Sequence, residues 1–266
     1  GRTEASAQRV EVMGEGGEGT AEFSGEISYA GRSLPISAKI ENETMTGTVQ
    51  AGDQRYAFEL ERVFLEPPAL GKAPPEGAIV LMDEDGMHGW VRHPELWCPQ
   101  PDGSVQVCGS NLRTIEEFGA AQYHVEFMTP FMPNARGQSR GNSGVYVHGR
   151  YEVQVLDSFG DPPADNLAGG IYSIAAPTSN PSLPPLQWQT YEITYIPPTF
   201  DDNGEKTEDA EITVIFNGVT VHDKVRLPEA TPGGVSMQEA PTGPLLFQDH
   251  RDRVRFRNVW VLPLED

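Results

Sequence analysis

The chain has 266 residues, room for one large core and a small appendage. Lys and Arg number 19 against 39 Asp and Glu, a formal net charge of −20, which opposes a nucleic-acid backbone or an anionic membrane surface. No apolar run approaches the roughly 20 residues of a membrane-spanning helix. With Gly 28 and Pro 23, and Val, Thr, Tyr and Phe in short alternating runs, the composition favours an all-β architecture rich in turns.

The chain opens on Gly1 without an initiator Met, which fits a removed signal peptide or a trimmed chain. Residues 1–17 are polar and Gly-rich, and weak order is expected there. From Thr20 to Val63 come four strand-like runs, A-E-F-S-G-E-I-S-Y, L-P-I-S-A-K-I, M-T-G-T-V-Q and Y-A-F-E-L-E-R-V, separated by the hairpin-like A-G-R, E-N-E and A-G-D. This is a small antiparallel β meander, too small to be comfortable alone and expected to pack on the main domain. The Pro-rich Glu66 to Gly77 reads as a stiff linker. The predicted organisation is therefore 1–65 as a β extension, 66–77 as linker and 78–266 as the main β domain.

In the main domain, Trp90 and Trp97 read as core or as sugar-stacking platforms. Cys98 and Cys108, the two cysteines of the chain, lie in a turn-rich stretch. A disulfide there would contribute roughly 2.5 to 3 kcal/mol and imply an oxidising compartment, the alternative being two buried thiols. Thr114 to Phe118 reads as a short helical turn. In the strand that follows, Tyr123, Val125 and Phe127 share a face. M-T-P-F-M-P-N-A-R-G-Q-S-R-G-N is a long loop, and loops of that length are uncommon unless functional.

The run R-G-N-S-G-V-Y-V-H-G-R-Y-E-V-Q-V-L-D-S-F, Arg140 to Phe159, carries the most chemistry. Its alternation marks half-buried strands. Gly149-Arg150 reads as the centre of a type II′ hairpin turn, with one continuous strand as the alternative. Glu152 and Gln154 then share a face, and Asp157 joins them only if a bulge intervenes near Val155 or Leu156. Such polar groups on one face point to an open cleft for a polar ligand. Downstream, long proline-laced segments are placed to wall that cleft. Asn217-Gly218 is a hairpin turn, and Asp201-Asp202-Asn203 before Gly204 reads as a solvated tip more than as a calcium loop.

From about Gly77 onward the chain resembles the 3-keto-disaccharide hydrolase domain family. The resemblance rests on G-N-S-G-V-Y, Y-E-V-Q-V-L-D, W-Q-T-Y, P-L-L-F-Q-D-H and V-R-F-R-N-V-W, in that order. It implies a concanavalin A-like jelly-roll β-sandwich, action on keto-sugars or related glycosides, and a secreted or periplasmic bacterial protein. A more distant similarity uses the same strand, where family-16 glycoside hydrolases carry E-x-D-x-x-E. Glu152, Gln154 and Asp157 occupy that spacing, but the middle carboxylate is an amide.

A 3-keto sugar acidifies its C2 proton, so C1–O can cleave by elimination before water adds back. That chemistry needs a base, an enolate stabiliser and an acid. Glu152, Asp157 and His250 are the candidates for base and acid. Arg140, Asn142, Tyr146, Gln154, Trp188 and Gln248 are the candidates for substrate binding. Against these stand plain readings: Glu152 paired with Arg150 or Arg257, His250 on an exposed loop, Asn142 serving its turn and Trp188 in the core. No cofactor is expected, a structural calcium ion stays open, and the expected partner is a carbohydrate, with oligomeric state open. The alternatives to a hydrolase are a non-catalytic carbohydrate-binding module and an interaction module of an extracellular assembly.

Overall fold

A computed structural model describes residues 12–17, 19–91 and 97–264. The chain divides into two units, Gly1–Leu65 and Glu66–Asp266. The first is a five-stranded antiparallel meander of β1 (Val12–Gly17), β2 (Thr20–Tyr29), β3 (Arg32–Glu41), β4 (Thr44–Ala51) and β5 (Gln54–Glu61), paired in chain order. The four expected runs are all strands. A fifth, β1, forms within the Gly-rich start, where weak order was expected, because Val12 to Gly17 pairs with Gly25 to Thr20 along the edge of β2.

The second unit begins at Glu66, so the proline-rich stretch expected as a linker belongs to it. Pro67 and Ala69 are buried, the Gly71 amide donates to Glu126 Oε1 at 2.6 Å, and the Lys72 carbonyl accepts from Asn258 Nδ2 at 3.1 Å. Its strands are β6 (Ile79–Asp83), β7 (Gly86–Met87), β8 (Trp97–Pro99), β9 (Val105–Val107), β10 (Leu112–Arg113), β11 (Ala121–Met128), β12 (Ser143–Val147), β13 (Tyr151–Val155), β14 (Gln189–Ile196), β15 (Thr199–Phe200), β16 (Lys206–Glu208), β17 (Ala210–Phe216), β18 (Val219–Leu227), β19 (Leu246–Phe247) and β20 (Arg255–Pro263). A large sheet runs β18-β17-β14-β11-β20-β6-β7, with β9 paired to β20 and β8 paired to β9, and a small one runs β10-β19-β12-β13.

The two sheets pack as a jelly-roll β-sandwich. Tyr123, Val125 and Phe127 of β11, Tyr191 and Ile193 of β14, and Val214 and Phe216 of β17 face Val145, Val147, Val153 and Phe247 of the small sheet in one apolar core. β17 shows the cause: every second residue of A-E-I-T-V-I-F is buried, the period-two pattern of a strand on a core. Phe247 stacks on Phe256 with ring centroids 4.3 Å apart, tying the sheets together. Trp90 and Trp97 join this core, the latter 5.8 Å from Phe256, so both are packing residues. Cys98 and Cys108 form a disulfide.

Asn217 and Gly218, both at positive φ, make the expected hairpin turn between β17 and β18. Thr114 to Phe118 does not form a helical turn. Thr114 and Phe118 instead bridge extended neighbours, with the Thr114 amide donating to Leu245 O and the Phe118 amide to Gly243 O. Among the described residues the helical element is a single 3-10 turn, Gly137–Ser139.

Candidate functional site

The β12–β13 hairpin sets the site. Its turn lies one residue earlier than Gly149-Arg150 implies. His148 and Gly149 have φ 53° and 60°, and three residues connect Val147 to Tyr151. Tyr146 therefore sits opposite Glu152 and Gly144 opposite Gln154. A one-residue slip would exchange the faces of a strand. In this register Val145, Val147, Val153 and Val155 enter the core, while Tyr146, Glu152 and Gln154 point to the other face. Val155 and Leu156 are consecutive core residues, but β13 ends at Val155 in an unbroken register, so the alternation stops with the strand and no bulge carries Asp157 back to this face.

The hairpin edge is held without a further strand. The Glu152 amide donates to Thr231 Oγ1 at 2.9 Å, and the Glu152 carbonyl accepts from the Tyr172 amide at 3.1 Å. The Gln154 amide and carbonyl pair with Gly170 O and Gly169 N, and the carbonyl also accepts from Tyr191 Oη at 2.7 Å. On the other side the Gln248 amide donates to Gly144 O, continuing β19, and Ser143 Oγ donates to Gln248 O. The loop before β12 closes one end, where Asn142 Nδ2 donates to Gln138 O at 2.8 Å and the Asn142 amide to Asp252 Oδ2 at 2.8 Å.

The polar face this creates is buried and incompletely bonded. Glu152 is 3 % exposed and Oε2 meets the Tyr146 hydroxyl at 2.8 Å, but Oε1 has no partner. Asn142 Oδ1, Gln154 Oε1 and Gln248 Oε1 are likewise buried without partners. Each such group costs about 1 to 3 kcal/mol when left unsatisfied, and four of the nine such atoms found among the described residues gather on this face. The four are contiguous. Gln138 Oε1 lies 3.2 Å from Asn142 Nδ2 and 3.5 Å from Gln154 Nε2, and the Tyr146 hydroxyl accepts from Gln248 Nε2 at 3.2 Å beside Glu152. Burial, with one hydrogen bond from Tyr146 in opposition, pushes the Glu152 carboxyl up to about 7. That places its proton within easy exchange at neutral pH, the condition for an acid or base.

Residues 77–262 match the family described as the 3-keto-alpha-glucoside-1,2-lyase-like domain. The chain belongs to this family. A candidate glycosyl hydrolase from Parabacteroides distasonis shares 32 % identity, covering 71 % of this chain and 85 % of its own, with a TM-score of 0.65. A second candidate glycosyl hydrolase from that organism, at 19 % identity and a TM-score of 0.52, covers 70 % of this chain and 99 % of its own and shares the fold. Comparison with curated proteins finds no match. The family match and the first of these structures support a glycosyl hydrolase-like function.

Within this family member, Asn142, Tyr146, Glu152, Gln154 and Gln248 converge on one face. Glu152 pairs with neither Arg150, which donates to the Gln238, His148 and Thr242 carbonyls, nor Arg257, which donates to Glu126. Arg140 and Asp157 are partners of one another, with Nε 3.5 Å from Oδ2, and Arg140 also reaches Asp161 at 3.1 Å. They fix the loop against the end of β13, with the Asp157 carboxylate engaged in an ion pair while Glu152 makes none among the described residues. Trp188 is not brought to this face. It stacks under the Arg257 guanidinium at 4.0 Å, and Arg257 bonds Glu126 on the outer face of the large sheet. His250 is exposed in the loop after Gln248 and makes no bond to Glu152 among the described residues. Asp201 Oδ1 accepts from the Asn203 and Glu205 amides of its own tip, and among the described residues no group of three or more His, Cys, Asp or Glu side chains gathers as a metal site.

Two contributors were not anticipated from the sequence. A Cβ on Gly144 would lie 2.2 Å from Glu152 Oε1, so the carboxylate occupies the space a side chain would need. Glycine inside a strand is the signal of such close approach. A Cβ on Gly233, at φ 88°, would lie 2.7 Å from the Tyr146 hydroxyl. The P-G-G run of that loop hints at tight backbone, but nothing local to it names the hydroxyl it serves.

Proposed function

We propose that this protein cleaves the glycosidic bond of a 3-keto-disaccharide or related 3-keto-glucoside by elimination, with Glu152 as the acid/base group, in a secreted or periplasmic setting. The observation that carries the reading is the set of four buried, unpartnered oxygens on one sheet face, one of them Glu152 Oε1. Asn142, Gln154 and Gln248 present acceptors for the hydroxyl donors of a sugar ring.

Glu152 Oε1 takes the C2 proton, acidified by the neighbouring ketone, and the electron pair moves onto the C3 oxygen as an enolate. Collapse of the enolate restores the C3 carbonyl, forms the C1=C2 double bond and breaks C1–O. The leaving oxygen then takes the proton from Glu152, which returns to its starting state. Addition of water across C1=C2 completes a net hydrolysis. Ring hydroxyls bonded to the amides set C2 over Oε1, and such positioning accounts for much of the rate in well-oriented reactions. Arg140, held by Asp157 and Asp161, keeps the Asn142 loop in place.

The test is incubation of the protein with a 3-keto-glucoside, following released alcohol and bound ligand together. Release with multiple turnovers is expected. Binding with no release would assign the chain to the carbohydrate-binding class instead.

A further inference from the structure

The hydroxyl of Tyr146 stands among three partners, Glu152 Oε2 at 2.8 Å, the Pro232 carbonyl at 2.9 Å and Gln248 Nε2 at 3.2 Å. A phenol has one proton to donate and lone pairs for two donors, whereas the carbonyl only accepts and the amide nitrogen only donates. These constraints give two closed arrangements. With Glu152 neutral and its proton on Oε2, Glu152 and Gln248 donate to Tyr146, and Tyr146 donates to Pro232. With Glu152 ionised, Oε2 accepts the hydrogen bond of the Tyr146 hydroxyl in place of the Pro232 carbonyl, and Pro232 is an exposed residue that water can reach.

We infer that Tyr146 is a positioning residue whose one hydroxyl proton turns between the Pro232 carbonyl and Glu152 Oε2 as the carboxyl of the free protein titrates, holding Glu152 in a single place in both forms. The inference rests on the acid/base role proposed for Glu152: Tyr146 donates to Oε2 of the ionised base and remains its donor when Oε1 takes the substrate proton. An acid that must also be a base needs its surroundings to stabilise both forms, and a hydroxyl that rotates does so without moving a heavy atom.

The surroundings keep that rotation open. Gly233 leaves room at the hydroxyl and Gly144 at Oε1, each where a Cβ would collide. Burial, then the adjacent Glu152 charge, push the Tyr146 phenol well above its ordinary value, so it reorients its proton and does not lose it. Tyr172 is the further titratable group acting on Tyr146, from the segment along β13. The charges on the surrounding elements are otherwise engaged or set apart. Arg140 binds Asp157 and Asp161, Arg150 binds three carbonyls, and Asp252 accepts the Asn142 amide. Asp249 accepts the Arg251 amide, His250 is exposed, and Arg113 is exposed on β10, in register with Leu246, which pairs with Tyr146.

The experiment is an infrared titration of the full chain without substrate. The neutral-carboxyl band that disappears in Glu152→Gln assigns Glu152, and its midpoint is then read in Tyr146→Phe. The ring is kept and the donor to the ionised form is lost, so the midpoint moves upward by a full pH unit or more. The acid limb of kcat/KM on a 3-keto-glucoside moves with it, and kcat falls at least tenfold at unchanged KM. Gly233→Ala, which crowds the same hydroxyl, moves the midpoint in the same direction and decides the matter if Tyr146→Phe does not fold. An unmoved midpoint in the folded variant overturns the inference and leaves Tyr146 a space-filling residue. Because the titration needs no substrate, a parent that fails to cleave 3-keto-glucosides overturns the proposed reaction without deciding the Tyr146 role.

Discussion

Glu126 and Glu152 are both buried in the sandwich unit, at 0 % and 3 % exposure, yet their surroundings drive them in opposite directions. On the outer face of the large sheet, Glu126 receives Arg257 Nε and Asn258 Nδ2 at 2.8 Å each and the Gly71 amide at 2.6 Å, with His124 alongside. Burial alone would raise its pKa, but bonds from His124, Asn258, Arg257 and Gly71 outweigh that and hold the carboxyl at about 2. Glu152 has one donor and a bare oxygen, so burial dominates and it stands at about 7. The number of donors separates the two, since depth does not. A carboxylate with its lone pairs filled ties structure together, and one left open near neutrality is ready to exchange a proton.

The largest effect that would sharpen this contrast is on rate. Glu152→Gln keeps the shape and removes the titration, so cleavage falls by roughly 10²- to 10⁴-fold. The same change leaves the protein folded and, above pH 7, more stable. A carboxyl raised in the folded state contributes stability below its unfolded pKa and loses it as pH rises through the folded value, here between about 4.5 and about 7. At about 1.36 kcal/mol per pH unit the loss is up to roughly 3 kcal/mol, and the glutamine variant escapes it. Thermal unfolding at pH 5 and pH 8 reads this directly.

Glu126→Ala is the opposite experiment. It removes the centre of a buried bonded cluster, which costs about 3 to 5 kcal/mol, while the rate per folded molecule stays at the parent level. Its sign with pH is reversed. The lowered carboxyl contributes stability above its unfolded pKa and loses it as pH falls from about 4.5 to about 2, so the parent and variant converge in acid. A variant as stable as the parent at pH 7 would show that Glu126 is no clamp.

Gly144→Ala tests geometry alone. The new methyl displaces Glu152 Oε1, and a misplacement of about 1 Å costs on the order of 10²-fold in rate. Kinetics at parental KM and kcat would mean that the carboxylate does no work where it stands. Trp188→Ala is the smallest. It removes a cation–π contact with Arg257 worth about 0.5 to 1 kcal/mol, visible in denaturant titration, and leaves KM for a keto-glucoside unchanged because Trp188 lies off the site face.

Much of the sandwich was legible because alternation has a local cause. Tyr123, Val125 and Phe127 declare their shared face, and Asn217-Gly218 its turn. The hairpin that carries the site was readable except for its register. His148 takes φ 53°, a conformation that histidine adopts more readily than most residues but that no neighbour announces, and this moves the turn by one residue. Tyr146 thereby faces Glu152, a pairing on which the proton account depends. Asn142, Gln154 and Gln248 are named by their motifs, and the fold brings them to the face of Glu152. Asp157 follows from its spacing to Glu152 and Gln154, His250 from the Q-D-H loop beside the predicted cleft, and Trp188 stands as a platform against a place in the core. The partners that Asp157 and Trp188 meet in the fold come from other segments of the chain, Arg140 and Arg257. The Glu126 cluster was invisible for the same reason, since its donors come from residues 71, 257 and 258.

The account stands or falls on proton transfer at Glu152. Its most direct measurement is deuterium incorporation at C2 of a 3-keto-glucoside in deuterated water, followed by proton NMR with the parent and with Glu152→Gln at equal concentrations of folded protein. The account predicts loss of the C2 proton signal with the parent and exchange slowed at least 10²-fold in the variant. Exchange at parental rate in Glu152→Gln would contradict it, and would place the base elsewhere in the protein.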